Sequence, residues 1–176
     1  MSFSQHSKGY CGRYVSHSKI LRDTKAMIKK IFFSPDHHFG HANIIKYCNR
    51  PFESVDIMNE EMVKRWNSVV GPNDTVYYLG DFSLSNNLVE AFTQKLNGEK
   101  HLIMGNHDAC HPCNKKKAAI GFEIYQRAGF KTIQLEQTLT ISGQTVLLNH
   151  MPYAEEEPKP EYKLRFQKYR PNDNGG

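Results

Sequence analysis

The sequence has no stretch approaching the roughly 18 consecutive apolar residues of a membrane helix, and its first residues lack the apolar core of a secretory signal. A soluble, cytoplasmic protein with no membrane partner is the expectation. Cysteine is sparse: Cys11, Cys48, Cys110 and Cys113 follow no framework spacing, which favours reduced thiols over disulfides. Acidic residues are nearly missing from one region. Residues 1–30 carry Lys8, Arg13, Lys19, Arg22, Lys25, Lys29 and Lys30 against Asp23 alone, a net +6, so the chain's overall +5 leaves −1 for the remainder. A basic surface over the rest of the chain is therefore excluded as an inference from total charge. Residues 1–26 read as a basic, disordered leader, either an arm for an acidic partner such as nucleic acid or an extension ahead of Met27.

What remains, residues 27–176, reads as one domain, because 176 residues with 39% hydrophobic content suffice for one sizeable core. Lys30–Ser34 reads as a short buried strand that stops at Pro35. Val55, Met58, Met62, Trp66 and Val69 recur at helical spacing and place one face on a core, with Gly71-Pro72-Asn73-Asp74 ending the helix. Thr75–Leu79 is a second strand, Leu88–Leu96 a helix, His101–Met104 a third strand, and Lys115–Ala128 a helix closed by Gly129. Strand-like segments follow at Lys131–Leu135, Thr138–Ile141 and Thr145–Leu148, the last two joined by a turn at Ser142-Gly143-Gln144. This alternation predicts an α/β sheet covered on both faces, with a site at the strand ends.

Four of the strands run into polar clusters: Asp36-His37-His38, Gly80-Asp81, Gly105-Asn106-His107-Asp108 and Asn149-His150. Carboxylate, imidazole and amide oxygen form a mixed oxygen and nitrogen donor set suited to Mn²⁺, Fe²⁺, Zn²⁺ and similar ions, and the lack of cysteine ligands argues against a structural zinc. Asp81 is the residue placed to bridge two ions. Glycine before Asp81 and before Asn106 lets the backbone turn sharply and come close.

In this order the clusters resemble the calcineurin-like metallophosphoesterases, whose pattern is D-x-H, G-D, G-N-H-D or G-N-H-E, a lone H, then G-H-x-H. The similarity covers about residues 27–151. Phe39-Gly40-His41, Ala42-Asn43-Ile44-Ile45 and Arg50-Pro51-Phe52 are similar in phrasing to the small phage and bacterial members. The resemblance implies a sandwich of mixed β-sheets flanked by helices, and two divalent ions (Mn, Fe, Zn, Ni or Mg). Asp36 and His38 would hold the first, Asn106 and His150 the second, and Asp81 both. It further implies His107 as the phosphate-contacting general acid or charge stabiliser, with Asn106 and His107 as substrate-binding residues; His41, read from its place before a helix start, is a third substrate-binding candidate beside the helix amides or else a turn residue. The substrate would be a phosphate mono- or diester, with nucleotides or nucleic acid among the candidates.

The chain departs from that pattern in two places. No G-H-x-H follows His150, so the expected domain is C-terminally incomplete and each ion short of one histidine; His111 is the nearest spare imidazole. Leu84 stands where many relatives carry the acidic residue that orients the histidine corresponding to His107, leaving Asp108 or Ser83 as substitutes. His37 is expected to face solvent. Cys110-His111-Pro112-Cys113 reads as a surface loop rather than half a zinc knuckle, and Lys115-Lys116-Lys117 as a solvated helix start. Two other function classes stay open: a non-catalytic metal- or phosphate-binding module, and a nucleic-acid binder acting through the leader.

Overall fold

In the computed structural model, residues 29–154 and 164–172 are described, so the expected leader, with Cys11 and Met27, lies outside them. The elements run β1 (Ile31–Ser34), α1 (Ala42–Tyr47), α2 (Val55–Val69), β2 (Thr75–Tyr78), α3 (Asn86–Thr93), β3 (Glu99–Ile103), a 3-10 turn (Pro112–Asn114), α4 (Lys117–Arg127), β4 (Thr132–Gln134), β5 (Glu136–Ile141), β6 (Gln144–Asn149) and α5 (Leu164–Gln167).

Helix α2 begins where Ser54 Oγ accepts the Ile57 N–H at 3.2 Å, a cap worth about 1 kcal/mol. Its inward stripe carries Met58 and Trp66, both buried. The expected last member, Val69, is 60% exposed, and Val70 is buried in its place. Val70 is the C-cap in extended conformation, which takes it off the helical period and turns it inward. The turn beyond is tied to β1 by Asp74, whose carboxylate accepts the N–H of Gly71 at 2.8 Å and of Lys30 at 2.9 Å. Those backbone donors hold the Asp74 pKa below the usual carboxylate range.

Helical crossovers separate β1 to β4, and the four strands pair in parallel in the order β1-β2-β3-β4. The register sets Phe33 beside Tyr77, Tyr77 beside His101, and His101 beside Thr132. One face packs Phe32, Val76, Tyr78, Leu102 and Ile133 into a core with Trp66, Phe82, Val89, Phe92 and Tyr125. The opposite face carries the row Phe33–Tyr77–His101, stacked at 5.7 and 5.0 Å between ring centroids. Cover on both faces was the expectation, but among the described residues this second face is only partly covered, with Ile31 53% and Phe33 41% exposed.

Strands β5 and β6 form a separate antiparallel pair, from Glu136 opposite Asn149 to Ile141 opposite Gln144. The two residues between them, Ser142 and Gly143, have φ of 51° and 81°, the positive pair that a tight hairpin requires. Instead of mixed sheets, the described strands make one parallel sheet and one antiparallel hairpin. Connection length decides this: helices join the first four strands, two residues join the last two. No helix among the described residues is long and apolar enough to cross a membrane.

Candidate metal centre

Parallel strands end at one edge, so the loops after β1, β2 and β3 lie side by side. Beyond the strands the backbone pairing continues: Asp36 N–H donates to Gly80 O at 3.0 Å, His38 N–H to Asp81 O at 3.0 Å and Phe39 N–H to Phe82 O at 2.9 Å. Asp36, His38 and Asp81 all sit at positive φ, 56°, 54° and 56°. Asp and His tolerate this conformation better than most residues, yet such strain costs roughly 1–3 kcal/mol per residue and persists only where the surroundings hold it. These three are also the residues whose ligand atoms all lie within 4.8 Å of one another.

Arg50 supplies part of that hold. Its guanidinium donates to the carbonyl of Asp36 at 2.7 Å and of His37 at 2.8 Å, clamping the strained loop with two charge-assisted bonds.

Asp81 is central in the geometry as well as in sequence order. Its Oδ2 lies 3.6 Å from His38 Nε2, which is 3.8 Å from Asp36 Oδ1, while Oδ1 lies 3.6 Å from His150 Nε2. Thus each oxygen faces a different imidazole. Nδ1 of His150 is 2.8 Å from the Leu79 carbonyl, which can only accept, so Nδ1 carries a proton and Nε2 is the nitrogen turned toward Asp81. Burial lowers the His38 pKa although Asp81 and Asp36 pull it up, which favours the neutral ligand form. Lone pairs facing a carboxylate at distances too long for hydrogen bonds fit a cation between them. The donor set therefore passes the chemical test for a metal centre at Asp36, His38 and Asp81, with His150 on the far side of Asp81.

The two glycines explain themselves by what a side chain would strike. At Gly80, with φ 94°, a Cβ would come 2.5 Å from His150 Nδ1 and 2.7 Å from the Gly105 backbone. A Cβ on Gly105 would run into Asp81 Oδ1. The close approach of β2 and β3 loops exists because neither position has a side chain.

Asp108 holds those loops together from below. Fully buried, its Oδ2 accepts the N–H of Asp81 at 2.9 Å and of Gly105 at 2.8 Å; Oδ1 accepts the Phe82 N–H at 2.8 Å and the Tyr125 hydroxyl at 2.7 Å. Burial pushes its pKa up to about 6, against the pull of those donors. Asp108 was a candidate to orient His107; its oxygens are committed instead to the backbone and to Tyr125. Ser83, the other candidate, donates to the Phe39 carbonyl at 2.9 Å. His107 itself is anchored through its backbone, whose N–H donates to Asp81 Oδ1 at 2.9 Å, and its exposed ring lies 5.6 Å from the ring of His38. Asn106 is the residue between Gly105 and His107 on this loop, half-buried.

His41 caps α1 next to the centre, its ring 5.7 Å from that of His38 and its pKa lowered by burial. His37 contradicts expectation. Rather than facing solvent, its ring packs between Phe39, Trp66 and Tyr78 at 5.2, 5.5 and 4.9 Å, and burial, then the Arg50 charge, lowers its pKa to about 3. His111 is buried too. Its Nδ1 accepts the Cys113 N–H at 3.1 Å and its ring meets Tyr169 at 4.6 Å, so packing, not the metal site, accounts for its position. Cys48, exposed, and Cys110, buried, carry free thiols. Arg50 is the contributor that sequence reasoning passed over, although it stands inside the quoted motif Arg50-Pro51-Phe52; Asp108 was read as an orienter of His107 and not as the acceptor that ties the loops together.

Fold and site together define a parallel α/β protein with a carboxylate–imidazole centre at the carboxyl ends of its strands. The chain belongs to the family of the uncharacterized protein MJ1445 of Methanocaldococcus jannaschii, to which it is 51% identical over 131 residues, 70% of each sequence. It is also similar to the Gene 66 protein of Mycobacterium phage L5, 29% identical over 82% of this chain and 72% of that one. The crystal structure of AQ665 from Aquifex aeolicus, described as a protein of unknown function, superposes with a TM-score of 0.56 at 27% identity, covering 79% of this chain and 69% of that chain. No protein-family model matches.

Proposed function

We propose that this chain is a dimetal phosphoesterase of the calcineurin-like type, hydrolysing phosphate mono- or diesters, nucleotides or nucleic acid among them. The observation that carries the reading is Asp81, with one carboxylate oxygen toward His38 and the other toward His150, each at 3.6 Å. Asp36 and His38 would hold one ion, Asn106 and His150 a second, and Asp81 both. Divalent ions in such a pair lower the pKa of water and neutralise charge developing on a phosphoryl group.

The chain's own residues do the rest. Arg50 and Asp108 hold the ligand loops in place before substrate arrives, so little reorganisation accompanies reaction. His150 keeps the tautomer that offers Nε2, because Leu79 O fixes the proton on Nδ1. His107, exposed and backbone-tied to Asp81, is placed to donate to a phosphoryl or leaving-group oxygen. His41 completes the imidazole row beside it.

The test is Mn²⁺-dependent hydrolysis of bis-p-nitrophenyl phosphate by the purified chain, against Asp81→Asn and His107→Ala. Loss of turnover in both variants supports the reading. Equal turnover in all three, or none with any divalent ion, removes it, and saturable metal binding without product would identify a binding module.

A further inference from the structure

A groove of about 650 Å³ opens beside His107. One wall is the loop after Asp81 with the start of α3, contributing Leu84, Asn86 and Asn87; the other is α4, contributing Lys117 and Ile120. No carboxylate lines it. Leu84 is 46% and Ile120 61% exposed, large apolar surfaces that water covers at a cost. Asn86 and Asn87 are exposed at its edge, and the Asn114 amide nitrogen is already donating to the Asp108 carbonyl at 3.0 Å, which leaves its oxygen as an acceptor.

Charge adds direction. Lys115, Lys116 and Lys117 are exposed in succession where α4 begins, with no acidic residue in its first turn. Cations at a helix N-terminus oppose the helix dipole, so the run raises rather than balances the local positive potential. The groove thus carries amide groups, the apolar side chains of Leu84 and Ile120, and the Lys117 ammonium, with Lys115 and Lys116 exposed just before it in the chain. A phosphate ester with only an aryl or alkyl group uses the apolar contacts but neither the amides nor the cations. A chain of nucleotides uses all of them: amides for base edges, apolar contacts for base faces, lysines for the next phosphates.

On the phosphoesterase reading above, we propose that this groove seats the nucleotides flanking the scissile phosphate of a single-stranded nucleic acid. The test is fluorescence anisotropy of a labelled single strand of about 12 nucleotides, titrated with the full chain in EDTA at several KCl concentrations. Wild type is expected to bind, more weakly as salt rises. Joint Lys115→Ser, Lys116→Ser and Lys117→Ser substitution should weaken binding by ~10-fold or more and flatten the salt slope by about 2. Ile120→Asp, with the lysines intact, should weaken it by about as much, since it places a carboxylate among the bases. All four positions are exposed, and the far-UV circular dichroism and melting temperature of each variant are matched to wild type before binding is compared. Wild-type affinity in both variants would put the binding elsewhere, at the basic residues 8–30 for example, and overturn the proposal, as would no binding by wild type. EDTA separates the two readings: a chain that binds the strand but hydrolyses nothing with any metal loses the phosphoesterase reading alone. One that cleaves bis-p-nitrophenyl phosphate but ignores the strand loses only the groove.

Discussion

His150 points Nε2 at Asp81 Oδ1 from 3.6 Å while its Nδ1 donates to the Leu79 carbonyl at 2.8 Å. In the neutral ring this sets two electron-rich atoms face to face, an arrangement that a cation between them turns from repulsive to favourable. Removing the imidazole should therefore cost metal, not fold. His150→Ala is expected to lower affinity for the weaker of two Mn²⁺ ions by ~10–100-fold in titration calorimetry. Unchanged isotherms would show that His150 is no ligand.

Arg50 is predicted to act on metal affinity without touching the metal. Its two bonds go to the carbonyls of Asp36, at positive φ, and of His37, which lies between the positive-φ residues Asp36 and His38, and Arg50→Met removes the bonds while keeping the aliphatic stem near Met58. Charge-assisted hydrogen bonds contribute about 1.5–3 kcal/mol each, so loss of the two should lower stability in urea by roughly 3–6 kcal/mol and Mn²⁺ affinity with it. A variant as stable as wild type, with full affinity, would mean the loop holds its conformation alone.

Asp108→Asn tests the staple beneath the loops. The amide would aim an NH₂ at backbone N–H groups of Asp81 and Gly105, or at Phe82 and the Tyr125 hydroxyl. Leaving buried donors unsatisfied costs about 1–3 kcal/mol each, so a loss of ~2–4 kcal/mol by chemical denaturation is expected. A loss too small to measure would contradict the structural role.

His37 gives the protein an acid-sensitive element. Its folded pKa of about 3 lies below the ordinary 6.5, so as pH falls the unfolded chain takes up this proton first. The stability it permits is complete above about 6.5 and is lost toward pH 3, at up to roughly 1.4 kcal/mol per pH unit. His37→Phe keeps a ring between Phe39, Trp66 and Tyr78 and should flatten denaturation midpoints between pH 6.5 and 4. A variant with the wild-type slope would assign that slope to other groups.

The convergence of Asp36, His38 and Asp81 was legible because each follows a strand of the parallel sheet, and parallel strands bring their ends together whatever the intervening sequence does; His150 reaches the same place from the end of β6, in the antiparallel hairpin, so parallel pairing does not explain its position. Helix α2 was legible up to Trp66, where the apolar period is regular, and misread at Val69 because a C-cap residue leaves that period. His37 was misplaced for a related reason: between two residues at positive φ the strand alternation no longer applies, and the ring swings into the core. Asp108 shows another limit. A carboxylate at a strand end reads equally well as a ligand, an orienting partner or a backbone acceptor, and only the converging N–H groups of Asp81, Phe82 and Gly105 distinguish them. The half-open face of the sheet was not legible at all, since Phe33, Tyr77 and His101 have the composition of a covered strand row.

Electron paramagnetic resonance of the Mn²⁺-loaded chain is the most direct measurement. Two ions sharing Asp81 should give the exchange-coupled spectrum of a Mn²⁺ pair, and Asp81→Asn should collapse it to isolated or free Mn²⁺. A wild-type spectrum of single, uncoupled ions at saturating metal would contradict a centre bridged by Asp81.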